Sequence, residues 1–287
     1  MSDKQRGLFD ITWMYALVGL LGWWVAHSLE GALMLRAGVA DLAMTGLVFI
    51  FSLWKVNTSA YDAFWSIIPS YLTIWLFFLC DGANWGLWAW ATMLMVNLWS
   101  WRLTHNWARG WPGWAHEDWR YVDFRESQGP IAFQLTNFFG LHLFPTLIVF
   151  ASCLGLFDVA QASTFTPWLM ALGLGTGMLG VALELIADNQ LAAFRHRPDP
   201  KRDDILDSGL WGVIRYPNYL GEMLFWWGVA LCGLGAQGPW WVSLGAAAMV
   251  VLFAAASIPM KDKRMAKGRP NFAEYKARVP ALFPKIG

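Results

Sequence analysis

The chain has 287 residues, 57% of them hydrophobic and only 14% charged, with 21 tryptophans and a mean hydropathy of +0.39. Soluble domains carry roughly 25% charged residues. This composition therefore excludes a soluble globular enzyme, a disordered tail and a disulfide-stapled secreted domain, and leaves an all-α polytopic membrane protein. The formal net charge of +1 says nothing about partners by itself, because what matters is where the charges sit; no nucleic-acid partner is expected. Cys80, Cys153 and Cys232 lie far apart in apolar surroundings, with no CxxC or Cys/His pairing, so no disulfide framework or zinc site is expected.

A membrane-spanning helix needs about 20 mostly apolar residues. In chain order the candidate spans are Ile11–Leu35, Asp41–Trp54, Phe64–Cys80, Trp85–Trp101, Ile131–Leu156, Pro167–Ala187, Tyr219–Leu234 and Pro239–Ile258. The second is short and the last two meet at a tight Gly235–Pro239 turn, so seven or eight spans are expected. With eight, one face receives every Lys and Arg except Arg36, a positive-inside pattern that puts both termini in the cytoplasm. Tryptophans cluster at span ends (Trp23, Trp24, Trp99, Trp101, Trp111, Trp114, Trp119, Trp240, Trp241) and read as an interfacial aromatic belt.

Charged groups inside a span are costly and mark function. Glu30, Asp62, Glu184, Asp188 and Glu222 fall within or at the edge of spans. All but Glu30 lie towards the basic face, with Asn57 and Asn218, implying a polar pocket that opens there. The run Asp188-Asn189-Gln190, followed by Arg195, Arg197, Lys201 and Arg202, combines groups able to hold ribose hydroxyls with guanidinium forks suited to phosphate. In Arg215-Tyr216-Pro217-Asn218-Tyr219-Leu220-Gly221-Glu222, Pro217 suits the first turn of a helix. Asn218 and Glu222 then share one face beside Tyr219, an amide and a carboxylate able to grip a carboxamide such as that of nicotinamide.

Gly175-Thr-Gly177-Met-Leu-Gly180 fits the GxGxxG dinucleotide fingerprint but lies inside a span with no preceding strand. Gly173 and Gly177 read instead as small-xxx-small helix packing. The five histidines form no clustered box, and His116-Glu117-Asp118 reads as a solvated loop rather than a metal site.

Four blocks in order resemble the steroid 5α-reductase family, closest to its bacterial branch, the DUF1295 proteins. They are Ser59-Ala-Tyr-Asp62-Ala-Phe-Trp65-Ser66, Glu117-Asp-Trp-Arg-Tyr-Val-Asp-Phe-Arg125, Arg215 to Glu222 with Asp188 and Arg195 upstream, and Phe272-Ala-Glu-Tyr275 with Pro280-Ala-Leu-Phe-Pro284. The resemblance runs from about residue 55 onward, dividing the chain into N-terminal helices (1–55) and a reductase-like membrane domain (56–287) within one structural unit. It implies an NADPH-dependent reductase that saturates a C=C bond conjugated to a carbonyl, as in 3-oxo-Δ4-steroids. An apolar substrate would enter from the bilayer and NADPH from the cytoplasm.

By position, the resemblance implies that Asn218, Tyr219 and Glu222 face the nicotinamide, while Asp188, Asn189, Arg195 and Arg197 hold the adenosine and phosphate end. Arg120, Arg125, Lys263 and Arg264 join the cofactor-binding set. Asp62 stands where the family has a glutamate that polarises the carbonyl. The partnering tyrosine position is occupied by Trp99, with Tyr61 or Tyr71 as substitutes. Asp62, Trp65 and Trp99 would line the substrate pocket, and Glu222 joins Asp62 and Tyr61 among the catalytic candidates. Two rivals share parts of the pattern: an S-adenosylmethionine-dependent methyltransferase of the isoprenylcysteine type, and a non-catalytic sterol-binding membrane protein.

Overall fold

The computed structural model describes residues 1–199, 201 and 203–283. Arg202 and Pro284, named in the motifs above, lie outside the described residues. The fold is helical, with no strand among the described residues. We label its main elements α1 (Asp3–Ser28), α2 (Leu33–Lys55), α3 (Phe64–Leu79), α4 (Leu87–Gly110) and α5 (Trp119–Ser127). The rest are α6 (Pro130–Gln161), α7 (Pro167–Arg195), α8 (Pro217–Gly235), α9 (Trp240–Gly268) and α10 (Phe272–Arg278). Among the described residues, six helical segments are long and apolar enough to cross a membrane: α1, α2, α3 with its preceding turn, α6, α7 and α9. The chain is a multi-pass membrane protein.

The two long helices outside that set explain why hydropathy alone undervalues them. α4 carries Asn97, Arg102, His105 and Asn106, and α8 carries Asn218 and Glu222. α8 is enclosed by its neighbours, with Glu222, Phe225, Trp226, Val229 and Cys232 all buried. These polar groups lower the mean hydropathy of both helices, and Arg102 and Glu222 among them are buried against protein.

Helix ends follow local chemistry. A capping box starts α1: Ser2 Oγ accepts from Gln5 N–H at 3.2 Å, and Ser2 N–H donates to Gln5 Oε1 at 2.8 Å. Prolines open α6, α7 and α8, where the missing N–H costs nothing. The expected first span, Ile11–Leu35, is wrong: the helix stops at Ser28, and Gly31 (φ 105°) turns the chain before α2 begins. His27, Ser28 and Glu30 interrupt the apolar run there, and Gly31 supplies the positive φ at which the chain reverses. The opposite error occurs in α7, which continues past Ala187 to Arg195 and so places Asp188, Asn189 and Gln190 on a helix.

The aromatic-belt expectation holds for Trp24, Trp101 and Trp240, which are 66%, 68% and 71% exposed, and fails for Trp99 and Trp111, which are buried. The glycine reading holds. The closest helix pair is α7 against α8. A Cβ at Gly173 would lie 2.8 Å from the Gly228 carbonyl, and one at Gly228 would lie 2.7 Å from the Gly173 carbonyl. Backbones touch here as the small-xxx-small pattern requires.

The C-terminal segment forms a strap across the entry to α8. Arg215 N–H donates to Pro280 O (2.8 Å) and Tyr216 N–H to Ala281 O (3.1 Å). The Arg215 guanidinium makes paired 3.1 Å bonds to Asp262, and Asp262 also accepts from the Tyr216 hydroxyl (2.6 Å) and Lys276 (2.8 Å). Tyr275 donates to Trp211 O at 2.7 Å. Burial pushes the Tyr275 phenol up to about 12, so it stays a donor at neutral pH.

Gly228→Val is expected to force α7 and α8 apart and destabilise the detergent-solubilised protein by about 1–3 kcal/mol or more. A thermal-unfolding comparison with the original chain reads this directly.

Candidate functional site

The polar groups of the spans gather at the end of the bundle that carries the basic residues, in two clusters joined by a basic cleft. The first grows from the turn before α3. Asn57 caps this turn by accepting from Ser59 N–H (2.9 Å), while its amide donates to the carbonyls of Trp114 and His116 (both 2.9 Å). Glu117 accepts from Thr58 N–H at 2.7 Å, and Ser59 Oγ accepts from Asp118 N–H at 3.1 Å. Two motifs some sixty residues apart, residues 59–66 and 117–125, are therefore one structural unit. The expectation that His116-Glu117-Asp118 is a solvated loop is corrected: Glu117 and Asp118 dock it onto the turn.

This docking presents Asp62. Its carboxylate accepts from the Tyr121 hydroxyl at 2.6 Å, and Arg120 lies within electrostatic reach. Arg120 is itself paired with Asp118 at 2.8 Å. Burial works against the Asp118 anion, but the hydrogen bonds and charge of Arg120 hold its carboxyl below the ordinary value. Burial, reinforced by the Asp62 charge, holds the Tyr121 phenol well above its ordinary value, so Tyr121 keeps its proton.

Tyr61, expected as a partner of Asp62, is engaged elsewhere. Its hydroxyl meets Thr146 Oγ1 at 2.8 Å and its ring packs 4.8 Å from His142. Tyr71 donates to Tyr15 O at 3.1 Å. The phenol that meets Asp62 is that of Tyr121, in the 117–125 motif.

The second cluster lies where α4, α7 and α8 converge, and it is built around a residue absent from the expected set, Arg102. Arg102 is 5% exposed and pairs with Glu184, which is 2% exposed, and with Asp188 at 2.7 Å. Glu222 lies within electrostatic reach of the same guanidinium. Both Glu222 oxygens accept indole N–H groups, from Trp226 at 2.8 Å and Trp99 at 3.2 Å. Trp99 is fully buried, stacked on Phe225 with centroids 4.5 Å apart and 5.9 Å from Trp65. Trp99 and Glu222 thus brace the α4–α8 junction, and Trp65 packs beside them.

One turn above Glu222, Asn218 is different: its Oδ1 is buried without a hydrogen-bond partner. Tyr219 stacks on Tyr216 at 5.3 Å and meets Phe253 at 4.7 Å. Asn218 and Glu222 share a face, as the sequence predicts, but Glu222 is occupied and only the amide retains an open acceptor.

Between the clusters, α5 and α9 enclose a cleft of about 800 Å³ lined by Trp119, Arg120, Lys263, Arg264, Lys267 and Arg269 among others. Arg264 lies over the Trp119 ring at 4.1 Å, with Lys261 at 5.9 Å. Arg195 makes no ion pair among the described residues and lies within electrostatic reach of Asp188 and Arg269. Of the other expected contributors, Arg197 pairs with Asp204 and sits over the Phe194 ring, Arg125 pairs with Glu117 at 2.7 Å, and Asn189 accepts from Arg109 at 2.9 Å. These three are structural in this arrangement. Arg120, Lys263 and Arg264 face the cleft. Among the described residues no group of three His, Cys, Asp or Glu side chains is placed to hold a metal.

The family profile described as protein of unknown function (DUF1295) matches residues 48–279. An uncharacterized protein of Schizosaccharomyces pombe is 27% identical over 261 residues, covering 82% of this chain and 75% of the relative. The cobalt-zinc-cadmium resistance protein CzcN of Cupriavidus metallidurans is 32% identical over 123 residues, 42% of this chain and 52% of that one. The nickel-cobalt-cadmium resistance protein NccN of Alcaligenes xylosoxydans xylosoxydans is 28% identical over 123 residues, covering 42% and 53%. The match spans about half the length of these two resistance proteins. No solved structure matches the chain.

Removing Arg102 leaves Glu184 and Asp188 without their cation in a buried site. Arg102→Met is expected to cost about 3–5 kcal/mol, read as a large drop in the thermal midpoint. The Arg102→Met/Glu184→Gln pair should recover part of that loss.

Proposed function

The chain belongs to the DUF1295 family, and on that premise we propose that it is a membrane-embedded reductase that uses NADPH to saturate the C=C bond of a lipophilic enone. The reaction type is that of a 3-oxo-Δ4-steroid going to its 5α-dihydro product. The observation that carries this reading is the hydrogen-bonded Asp62–Tyr121 pair beside a basic cleft, in a helical bundle whose motifs resemble those of steroid 5α-reductases. The one-sided distribution of Lys and Arg supports a cytoplasmic basic face.

The residues present fit the cofactor. Asn218 Oδ1 is a buried acceptor without a partner, suited to a carboxamide N–H. Arg120, Lys263, Arg264 and Arg269 around the cleft suit phosphates, with Arg195 and Asp188 at its edge. Arg215–Asp262 and the C-terminal strap fix the start of α8 and so hold Asn218 in place. When bound, NADPH supplies a hydride for the β-carbon of the enone.

As that bond forms, electron density moves to the carbonyl oxygen, where a hydrogen-bond donor stabilises the charge, and a proton taken from water at the α-carbon completes the saturation. In the Asp62–Tyr121 pair, whose oxygens lie 2.6 Å apart, the phenol donates to the carboxylate. Tyr121, protonated through burial, would turn this hydroxyl from Asp62 to the substrate carbonyl, while Arg120 beside the pair offsets the negative charge left on Asp62. Glu222, held by two indoles, keeps α4 and α8 in register rather than touching substrate.

The decisive measurement is thermal stabilisation of the purified protein by NADPH, NADH and S-adenosylmethionine side by side. A ligand at 100 times its Kd stabilises by about 2.7 kcal/mol. A shift with NADPH alone supports the reductase; a shift with S-adenosylmethionine alone replaces it with a methyltransferase. In an enone assay, Tyr121→Phe and Asp62→Asn are expected to lower kcat by about 10²-fold or more, with the NADPH shift retained. Tyr61→Phe should leave kcat within a few-fold.

A further inference from the structure

Towards the opposite end of the bundle, α1, α2, α3 and α6 enclose a small cavity of about 50 Å³, whose lining includes Gly19, Gly22, Trp23, Asp41, Trp75 and Cys153. It shares no residue with the Asp62–Tyr121 pair or the basic cleft. Asp41 lies eight residues into α2, about 12 Å along the helix. Its side chain is 3% exposed, and both carboxyl oxygens lack a hydrogen-bond partner. Trp75, 5% exposed, has an equally unpartnered indole N–H.

A buried acceptor and a buried donor, both unmatched, lie on the walls of one cavity inside the membrane, where leaving either unmade is unfavourable. Arg36, nearby on α2, does not neutralise the carboxyl: its Nε donates to Ala26 O at 2.8 Å, and its guanidinium lies 5.5 Å from the Trp75 ring centroid. Gly19 and Gly22 let Tyr71 and Met44 pack directly against α1 beside the cavity, since a Cβ at either would collide with them.

We propose that this cavity binds the hydroxyl end of an unbranched lipophilic alcohol. A hydroxyl donates to Asp41 and accepts from the Trp75 indole, and so answers both unmatched groups at once. An ammonium would satisfy Asp41 and leave Trp75 unpaired. An ether would satisfy Trp75 and leave Asp41. One water needs about 10–15 Å³, so the cavity admits the hydroxyl and the first few carbons but no fused ring. The alkyl tail leaves past Trp23, which is 40% exposed on the outer side of α1, into the bilayer.

The test is photolabelling of the intact protein in detergent with a diazirine-bearing dodecanol, with labelled peptides located by mass spectrometry. Saturable labelling is expected within residues 19–26 and 37–44. 1-Dodecanol should compete at least tenfold more effectively than dodecyl methyl ether or dodecylamine. Asp41→Leu replaces an unpaired polar group with an apolar one and is expected to fold at least as stably as the original chain. It should abolish the labelling and leave any NADPH-induced thermal shift unchanged, so this site and the reductase reading fail independently. Labelling that does not saturate, as from a cavity holding water only, overturns the proposal. So does equal competition by the ether or the amine, or undiminished labelling of Asp41→Leu.

Discussion

The buried guanidinium of Arg102 is the interaction on which the site end of the molecule depends. α4, α7 and α8 bring Glu184, Asp188 and Glu222 to one place. Carboxylates gathered in a low-dielectric setting repel one another unless a cation lies among them. Arg102 supplies that cation from the end of α4, and the two indoles on Glu222 complete the arrangement. The close backbone contact of α7 with α8 then follows, because glycines on both helices let the carboxylates approach the same guanidinium. Charge and packing here are mutually dependent.

With that junction fixed, the rest of the polar face is placed by docking. The turn at 57–62 is held by the 114–121 segment through Asn57, Thr58 and Ser59. The same segment reaches α1, since Trp114 donates to Asp10 at 3.0 Å and Lys55 pairs with Asp10 at 2.6 Å. The N-terminal helices are therefore tied to the polar end by specific bonds as well as by apolar packing. At the opposite end the chain reversal is closed by backbone bonds, as when Thr166 N–H donates to Gly235 O at 2.7 Å, while Asp41 and Trp75 stay without hydrogen-bond partners.

Much of this was legible in the sequence. Hydropathy and the one-sided basic residues give an all-helical multi-pass bundle, and spacing puts Asn218 and Glu222 on one helix face. What was not legible depended on three-dimensional pairing. Arg102 stands at the start of a basic loop, where its charge reads as orientation in the membrane. Its role appears only when α7 brings Glu184 and Asp188 to it. Tyr121 sits 59 residues from Asp62, and nothing local in either motif announces their 2.6 Å bond. Arg125, Arg197 and Asn189 have the right chemistry for a cofactor, but neighbours on the page of the fold, Glu117, Asp204 and Arg109, occupy them. The break at Gly31 was open to reading, since His27, Ser28 and Glu30 precede it, but a span drawn on average hydropathy runs through them.

The strap over α8 bears on how the molecule is made. Arg215 finds Val279 O as a partner 64 residues further along the chain, after α9 and α10. α8 must therefore enter the bilayer while the turn that introduces it still lacks its final partners. The amide of Asn218 gains a fixed position only when the later segment folds back. The ties that close the turn before α8 are thus supplied by a segment that follows α9 and α10, so the polar end of the bundle is completed by its last helices rather than its first.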